Sequence, residues 1–415
     1  MPPSTNAFRR VLAAEGISNF GSMLSRLALP WLATLALLAT PLQMALLLVA
    51  DVAAGAAGAL LLGAFVDRSS KRATMVGADL GRAGVLALLA ILAFAGLLSM
   101  TLLVVAAALT GLLTMAFELA RSAWVAQSVE ADRLPARNAQ LSAVGSVSET
   151  GAFAAGGWLY QLLGAVLALA VDAASYLLSA ACLWRLRDGH RGPRGTADAN
   201  GGEARPATPP SRSRIVDELR SGLAVIGATP ALRALAMLEV LLALGGSVAA
   251  TSYMIYVARD LGFGTGALGM IFATGGLGAI GGAALAPALA RRFGGGDAMT
   301  AGLVLLALGA LCIPLATGAT LAGAALLVVH QLVGDGGATI FQVHDRTLRQ
   351  TAVAPELLAR VDGGLRTLGQ LATLVGALGG GWLATALGAR VALGLVVALF
   401  ALAALVAHHR LHGQR

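Results

Sequence analysis

Gly156–Gly164 reads GGWLYQLLG, and Gly380–Gly388 reads GGWLATALG. Each copy lies near the end of a long apolar run, and each closes on a glycine at the same place. Leu134–Arg137, LPAR, returns at nearly the same separation as Leu357–Arg360, LLAR. A chain that repeats itself in this way carries a duplicated unit. Outward from the two copies, apolar stretches of about 20 residues recur from Val11 to Ala407, each long enough to cross a bilayer as a helix. The expected spans are 12–38, 42–64, 73–98, 101–121, 138–163 and 165–186, then 230–257, 266–289, 298–316, 321–343, 362–387 and 389–407. The expected fold is therefore an all-α polytopic membrane protein of twelve transmembrane helices in two six-helix halves, 1–187 and 229–415. A cytoplasmic linker, 188–228, separates them. Its first part, rich in Gly, Pro, Ala and Arg, reads as flexible chain. Ile215 to Ile226 reads as a short amphipathic helix.

Composition agrees. Of the 415 residues, 57% are hydrophobic and only 12% charged, against about 25% charged in a soluble domain; the mean hydropathy is +0.79. The formal charge of +8 would suit a nucleic-acid binder only if the cations shared one face. Instead they fall between the spans, in alternate gaps: Asp67 to Arg72, Arg121 to Arg137, Arg185 to Arg220, Arg291 to Arg292 and Arg346 to Arg360. The intervening gaps are nearly bare. This is the positive-inside pattern, which places both termini in the cytoplasm and excludes a nucleic-acid partner. No cleavable leader is expected, and the first span serves as insertion signal. Cys182 and Cys312 each lie alone in an apolar run and read as small packing residues. The many glycines, Gly151, Gly156, Gly157, Gly376, Gly379, Gly380 and Gly381 among them, suit close helix crossings.

After the second span comes GAFVDRSSKR, Gly63 to Arg72. Gly63 permits a close crossing, Asp67 can cap or pair with a neighbouring helix end, and Arg68, Lys71 and Arg72 hold the loop on the basic side. This segment resembles motif A of the major facilitator superfamily. The matching loop of the second half, PALARRFG at Pro287–Gly294, keeps the basic residues and lacks the acid. A finer resemblance lies in FELARSAWVAQSV, LPARNAQLSAVGSV, GGWLYQLLG and VDAASYLLSAACLWRLR, between Phe117 and Arg187. These runs are similar to the enterobactin-exporter and macrolide-efflux branch. The resemblance implies proton-driven export of a hydrophobic or siderophore-like compound, with Asp67, Glu118 and Arg121 forming an inner gate; solvated loop charges are the competing account of those three.

An ionisable residue within a span is costly and so a functional candidate. Arg26, Asp51, Glu149, Asp172 and Glu239 are those residues. A coupling carboxyl must take a proton at one face and release it at the other, a role that suits Asp51, Glu149 and Glu239; polar packing is the alternative for the two glutamates. Arg26 and Asp51 lie at comparable depth on adjacent helices and could instead form a fixed ion pair. Asp172 reads as a helix-packing residue acting through hydrogen bonds. Glu15, Asp79, Arg82, Asp335 and Arg366 are expected near the basic face, paired or snorkelling to water. His330 and His344 read as polar contacts, and the tail His408, His409 and His412 as a solvated end.

The expected function is a secondary transporter, a proton antiporter exporting an amphipathic small molecule from a bacterial inner membrane as a monomer. An importer or uniporter of a small metabolite is the alternative. An ATP-driven pump is excluded, because Lys71 is the only lysine and follows serine, leaving no Walker A loop. No hydrolase or metalloprotease motif appears, so neither an enzyme nor a cofactor is expected.

Overall fold

Lipid offers a buried peptide group no hydrogen-bonding partner, so a chain this apolar must satisfy its backbone within helices. The computed structural model describes residues 5–129, 133–186 and 212–412, and among them no strand occurs. The helices are α1 Thr5–Trp31, α2 Pro41–Arg68, α3 Lys71–Phe94, α4 Met100–Ser128, α5 Leu134–Trp184, α6 Arg212–Ala228, α7 Pro230–Ile255, α8 Thr265–Phe293, α9 Gly295–Leu315, α10 Leu321–Val329, α11 Gly336–Ala352, α12 Pro355–Leu387 and α13 Ala389–Leu411. Several start where a hydroxyl can accept from an otherwise unpaired N–H. Thr40 forms a capping box with Gln43 ahead of Pro41, and Ser70, Ser99 and Thr320 cap α3, α4 and α10. Ten helical stretches among the described residues are long and apolar enough to cross a membrane. The chain is therefore a multi-pass membrane protein. The expected spans 12–38 and 138–163 are not among those ten, although their backbone is helical.

The repeat in the sequence returns in the backbone. Gly164 and Gly388, the closing glycines of the two GGWL segments, both take a positive φ, 73° and 92°. Gly164 breaks α5 into two arms, and Gly388 separates α12 from α13. Only glycine reaches that region at no steric cost. The shift that superposes these glycines also superposes two π-helical turns, Leu32–Ala36 after α1 and Tyr256–Asp260 after α7.

Two of the expected basic loops are shorter than the charge pattern suggests. The helix α4 continues to Ser128, and α10 runs through a third π turn, His330–Asp335, into α11, which ends only at Ala352. Arg346 and Arg349 thus stand on a helix. There α11 buries Ile340, Phe341 and His344, and Arg349 pairs with Asp345 one turn earlier, so that arginine needs no aqueous loop, while Arg346 is exposed. The expected amphipathic helix of the linker is α6, which packs on α12 and α7; linker residues 188–211 lie outside the described residues.

Among α1–α5, the main packing is of α1 and α3 on α5 and of α2 and α3 on α4. Among α7–α13 it is α7 on α12 and α13, and α9 on α11 and α13. The two groups meet along α2 with α12 and α5 with α8. Glycine allows the tightest approaches. A Cβ on Gly337 would run into the α9 backbone at Gly302 and Leu306, and one on Gly302 would run into Gly337 and Phe341. Replacing Gly337 by valine is expected to cost about 2 kcal/mol or more through overpacking. Gly77→Ala, where nothing stands in the way, is expected to be neutral or slightly stabilising. Thermal unfolding of the two purified variants in detergent tests the contrast.

Candidate functional site: a cavity between two helix groups

The face of the bundle where α1 begins and α13 ends is here the terminal face; the other is the outer-loop face. Near the outer-loop face the two groups are joined. Trp31, at the end of α1, is buried among Tyr256, Val257 and their neighbours, and Ile255 is buried among Leu32, Ala33 and theirs. The Arg259 guanidinium donates to the Ala39 carbonyl at 2.9 Å. Gly381 of α12 lets Pro41, Leu42 and Ala45 of α2 lie against its backbone. Below this seal is a cavity of about 640 Å³. From the first group it is lined by Glu15, Ser18, Asn19, Ser22, Met23, Ser25, Met44, Asp51, Arg82, Thr114, Phe117, Glu118, Asp172 and Tyr176, and from the second by Ala250, Arg366, Gln370 and Thr373. Toward the terminal face, Glu118 of α4 and Arg366 of α12 approach to 4.0 Å from opposite walls, their side chains 44% and 65% exposed. Water therefore reaches the cavity from that end.

The wall is built from paired charges. Arg82 is 2% exposed and, of the two expectations for it, is paired rather than snorkelling. It forms an ion pair with Asp79 one turn earlier on the same helix, and Asp79 accepts a further bond from Ser179 at 2.7 Å. The guanidinium lies between two rings, 4.8 Å from the Phe117 centroid and 4.3 Å from that of Tyr176. That stacking supplies cation–π attraction where water is excluded, and it explains why the cation stays inside. Tyr176 shares a hydrogen bond with Ser22 at 2.8 Å. Asp172 accepts from Ser25 of α1 and from Ser175 on its own helix, with no water exposure. Gly21 makes room for that contact. Arg121 donates to Glu15 at 2.6 Å, and Asn19 donates to the same oxygen at 3.2 Å.

In the second group a neighbouring cavity of about 740 Å³ also touches Arg366, Gln370 and Thr373, so the two spaces share the α12 wall. Its centre is Arg349. Asp345 lies 2.6 Å away on the same helix, Glu239 of α7 at 3.2 Å and Asp362 of α12 at 3.6 Å. The shift that carries Gly164 onto Gly388 also carries Glu15 onto Glu239, and it carries Arg121 onto Asp345, one turn before Arg349. Each group thus ties its first helix to a later one by a glutamate–arginine pair.

Of the residues singled out by sequence, Asp51, Asp172 and Glu118 line the first cavity and Glu239 the second. Gly111 of α4 packs directly against Asp51. Arg121 stands behind the wall, on Glu15. The side chains of Arg26, Asp67 and Glu149 lie outside the described residues. Gly63 meets no neighbour that a Cβ would touch. Arg68 is exposed, Lys71 is buried with its ammonium donating to the Val66 and Ser69 carbonyls, and Arg72 donates to the Trp184 carbonyl at 3.1 Å. The segment from Gly63 to Arg72 is accordingly the end of α2, a two-residue turn, Ser69–Ser70, and the start of α3. Arg349 and Asp345 escaped sequence reasoning because they fall in the gap between the expected spans 321–343 and 362–387, and Asp362 because it stands at the very edge of the second of these. Their four-residue spacing, Asp345 to Arg349, was the available signal. Among the described residues no cluster of His, Cys, Asp and Glu suits a metal ion.

The family model for the Major Facilitator Superfamily matches residues 11–361. No curated protein matches the chain in sequence. Its backbone is similar to that of the nucleoside transporter NupG, with TM-score 0.72 at 13% identity, covering 98% of this chain and 99% of that one. It is also similar to a bacterial homologue of the iron transporter ferroportin in an inward-facing state, with TM-score 0.70, 15% identity and 97% and 98% coverage. A bacterial homologue of the human lysosomal transporter Spinster, inward-facing and unoccupied, gives TM-score 0.70 at 15% identity and 98% coverage of both chains. At these identities the likeness is one of fold.

Removing one member of a buried ion pair strands the other, which costs about 3–5 kcal/mol, whereas removing both costs less. Arg82→Leu is accordingly expected to lower the unfolding temperature in detergent far more than the double variant Asp79→Leu/Arg82→Leu.

Proposed function

Because the chain belongs to the Major Facilitator Superfamily and is a transporter rather than an enzyme, we propose that it exports an amphipathic small molecule across a bacterial plasma membrane in exchange for protons. All twelve expected helices cross in this reading, α1 and the first arm of α5 included. The halves 1–187 and 229–415, joined by 188–228, rock about the space between them in the manner of alternating access. The terminal face then faces the cytoplasm, and the cavity described above takes its cargo from that side.

One observation carries this reading: a cavity shared by both helix groups, joined at the outer-loop face and reached by water at Glu118 and Arg366. Its volume of about 640 Å³ is that of a small-molecule site. The lining supports an amphipathic cargo, since Met23, Leu29, Met44, Leu47 and Phe117 alternate with Glu15, Asp51, Glu118 and Asp172. Among the described residues these four acids outnumber the lining cations Arg82 and Arg366, which favours a cargo bearing positive charge. Asp51 stands at the wall where a proton and a cation could compete for one carboxylate, and we assign it the coupling role together with Glu149. Glu239, held by Arg349 within the second half, takes a packing role there. Arg366 with Glu118 forms the inner gate, to which we also assign Asp67 and Arg121.

Proteoliposomes carrying the purified chain, assayed with a panel of cationic and neutral dyes under an imposed pH gradient, test the proposal. Gradient-driven movement of at least one cationic dye is expected, and it should stop with an uncoupler. Asp51→Asn should retain downhill exchange while losing the gradient-driven component. Accumulation that ignores both the uncoupler and Asp51→Asn would remove the proton from the mechanism, and inward-directed cargo movement would favour an importer.

The gate makes a separate prediction. Glu118→Arg is expected to reduce turnover several-fold by setting like charges across the mouth, and the exchanged pair Glu118→Arg/Arg366→Glu to restore most of it; transport rates at saturating dye measure both.

A further inference from the structure

On the outside of the bundle, α3 and the second arm of α5 leave a groove of about 350 Å³ between them, lined by Leu80, Leu177, Ala180, Ala181, Trp184 and Arg185. Nothing in the transport cycle proposed above uses it. Its walls are apolar and Trp184 is 62% exposed, as suits an indole at the level where acyl chains meet headgroups.

At the terminal-face end of the groove, three arginines from three separate elements converge on the end of α5. Arg10 of α1 donates to the Arg185 carbonyl at 3.1 Å, and Arg72 of α3 donates to the Trp184 carbonyl at 3.1 Å. Arg185 itself lines the groove with an exposed side chain. The last carbonyls of a helix are its unsatisfied, partly negative end, and guanidinium groups dock there readily. A guanidinium has five N–H donors, and Arg10 spends one in this contact. Among the described residues, neither Arg10 nor Arg185 has a carboxylate within ion-pair distance. The result is an apolar furrow headed by a cluster of cations, of which Arg10 and Arg185 have donors to spare among the described residues.

The duplication supplies an internal comparison. The same shift that superposes the two halves carries Arg72 onto Gly296, Trp184 onto His408 and Arg185 onto His409. There the corner is closed instead, because Gly296 packs against the Leu411 carbonyl and His412 bonds to Asp297 at 2.7 Å. The open, cationic corner is therefore peculiar to the first half, rather than a feature the repeated fold imposes on both.

We propose that this groove is a binding site for an anionic phospholipid. The headgroup phosphate sits among Arg10, Arg72 and Arg185, one acyl chain lies along Leu80, Leu177 and Ala181, and Trp184 marks the boundary. A free phosphate would use the arginines alone, and a zwitterionic lipid would use the furrow with its own ammonium set against the arginines. The site commits to the lipid that satisfies both parts, such as phosphatidylglycerol. Bound there, the lipid would brace the turn between α2 and α3, since Arg72 stands in the first turn of α3 directly after it.

The test uses the full chain purified in detergent. Phosphatidylglycerol is expected to raise the unfolding temperature and to survive into native mass spectra, while phosphatidylcholine of the same acyl chains and inorganic phosphate do neither. Arg10→Gln and Arg185→Gln should each weaken the lipid by about fivefold, the worth of one juxtamembrane cation, whereas Arg390→Gln on the outer-loop face leaves it unchanged. A second measurement needs no charge removal. The fluorescence lost in Trp184→Phe, which isolates this indole from the other four tryptophans, should be quenched more strongly by brominated phosphatidylglycerol than by brominated phosphatidylcholine. Equal quenching by the two lipids, equal stabilisation by phosphate, or an unaltered affinity in both arginine variants would overturn the proposal. Because no substrate is involved, these outcomes are independent of whether the chain exports anything.

Discussion

A charge withdrawn from water inside a helical bundle persists only where something reaches it, and most of this structure's polar interior is arranged to meet that condition. Arg82 is the central instance. Its partner Asp79 sits one turn away, Ser179 supports the acid from α5, and Phe117 and Tyr176 enclose the cation. Three elements, α3, α4 and α5, are thereby tied to one guanidinium. Tyr176 and Phe117 in turn line the cavity, so part of its wall is set by the need to house a single arginine.

The same condition operates in the second group with different residues. Arg349 gathers Asp345, Glu239 and Asp362 from α11, α7 and α12. Glu15 with Arg121, and Glu239 with Arg349, occupy related places in the duplicated chain, displaced by one helical turn at the arginine. Duplication has preserved the tie between first and fourth segments without preserving the register of the cation. Glycine performs the complementary task, letting backbones close to contact distance where no side chain is needed, as between Gly302 and Gly337. In lipid such packing replaces the hydrophobic drive that water gives a soluble core.

Ion pairs and glycine contacts differ in what they permit. The glycine crossings lie largely within a group, as do the ties of Arg82 and Arg349. Among the described residues, the polar links between groups are fewer and closer to water: Arg259 to Ala39 on one side, Glu118 to Arg366 on the other. An exposed pair separated by 4.0 Å contributes little stability, which is the property a contact must have if it is to be made and broken in each cycle.

The sequence by itself determined the helical, membrane-spanning character, the repeat, and the breaks at Gly164 and Gly388, because apolar length and a glycine at positive φ are local necessities. It also located Asp51, Asp172, Glu118 and Glu239, since a carboxylate in an apolar run is visible without knowing its neighbours. It placed Arg82 near water and Arg346 to Arg360 in a loop, because charge marks an interface unless a partner elsewhere in the chain removes the need for one. Only the tertiary structure decided that. Ser179 lies a hundred residues from Asp79, and Glu239 lies still further from Arg349. Pairing energy falls off with distance in space, not along the chain, so which charges stay buried and which helix faces become a cavity wall followed from packing alone.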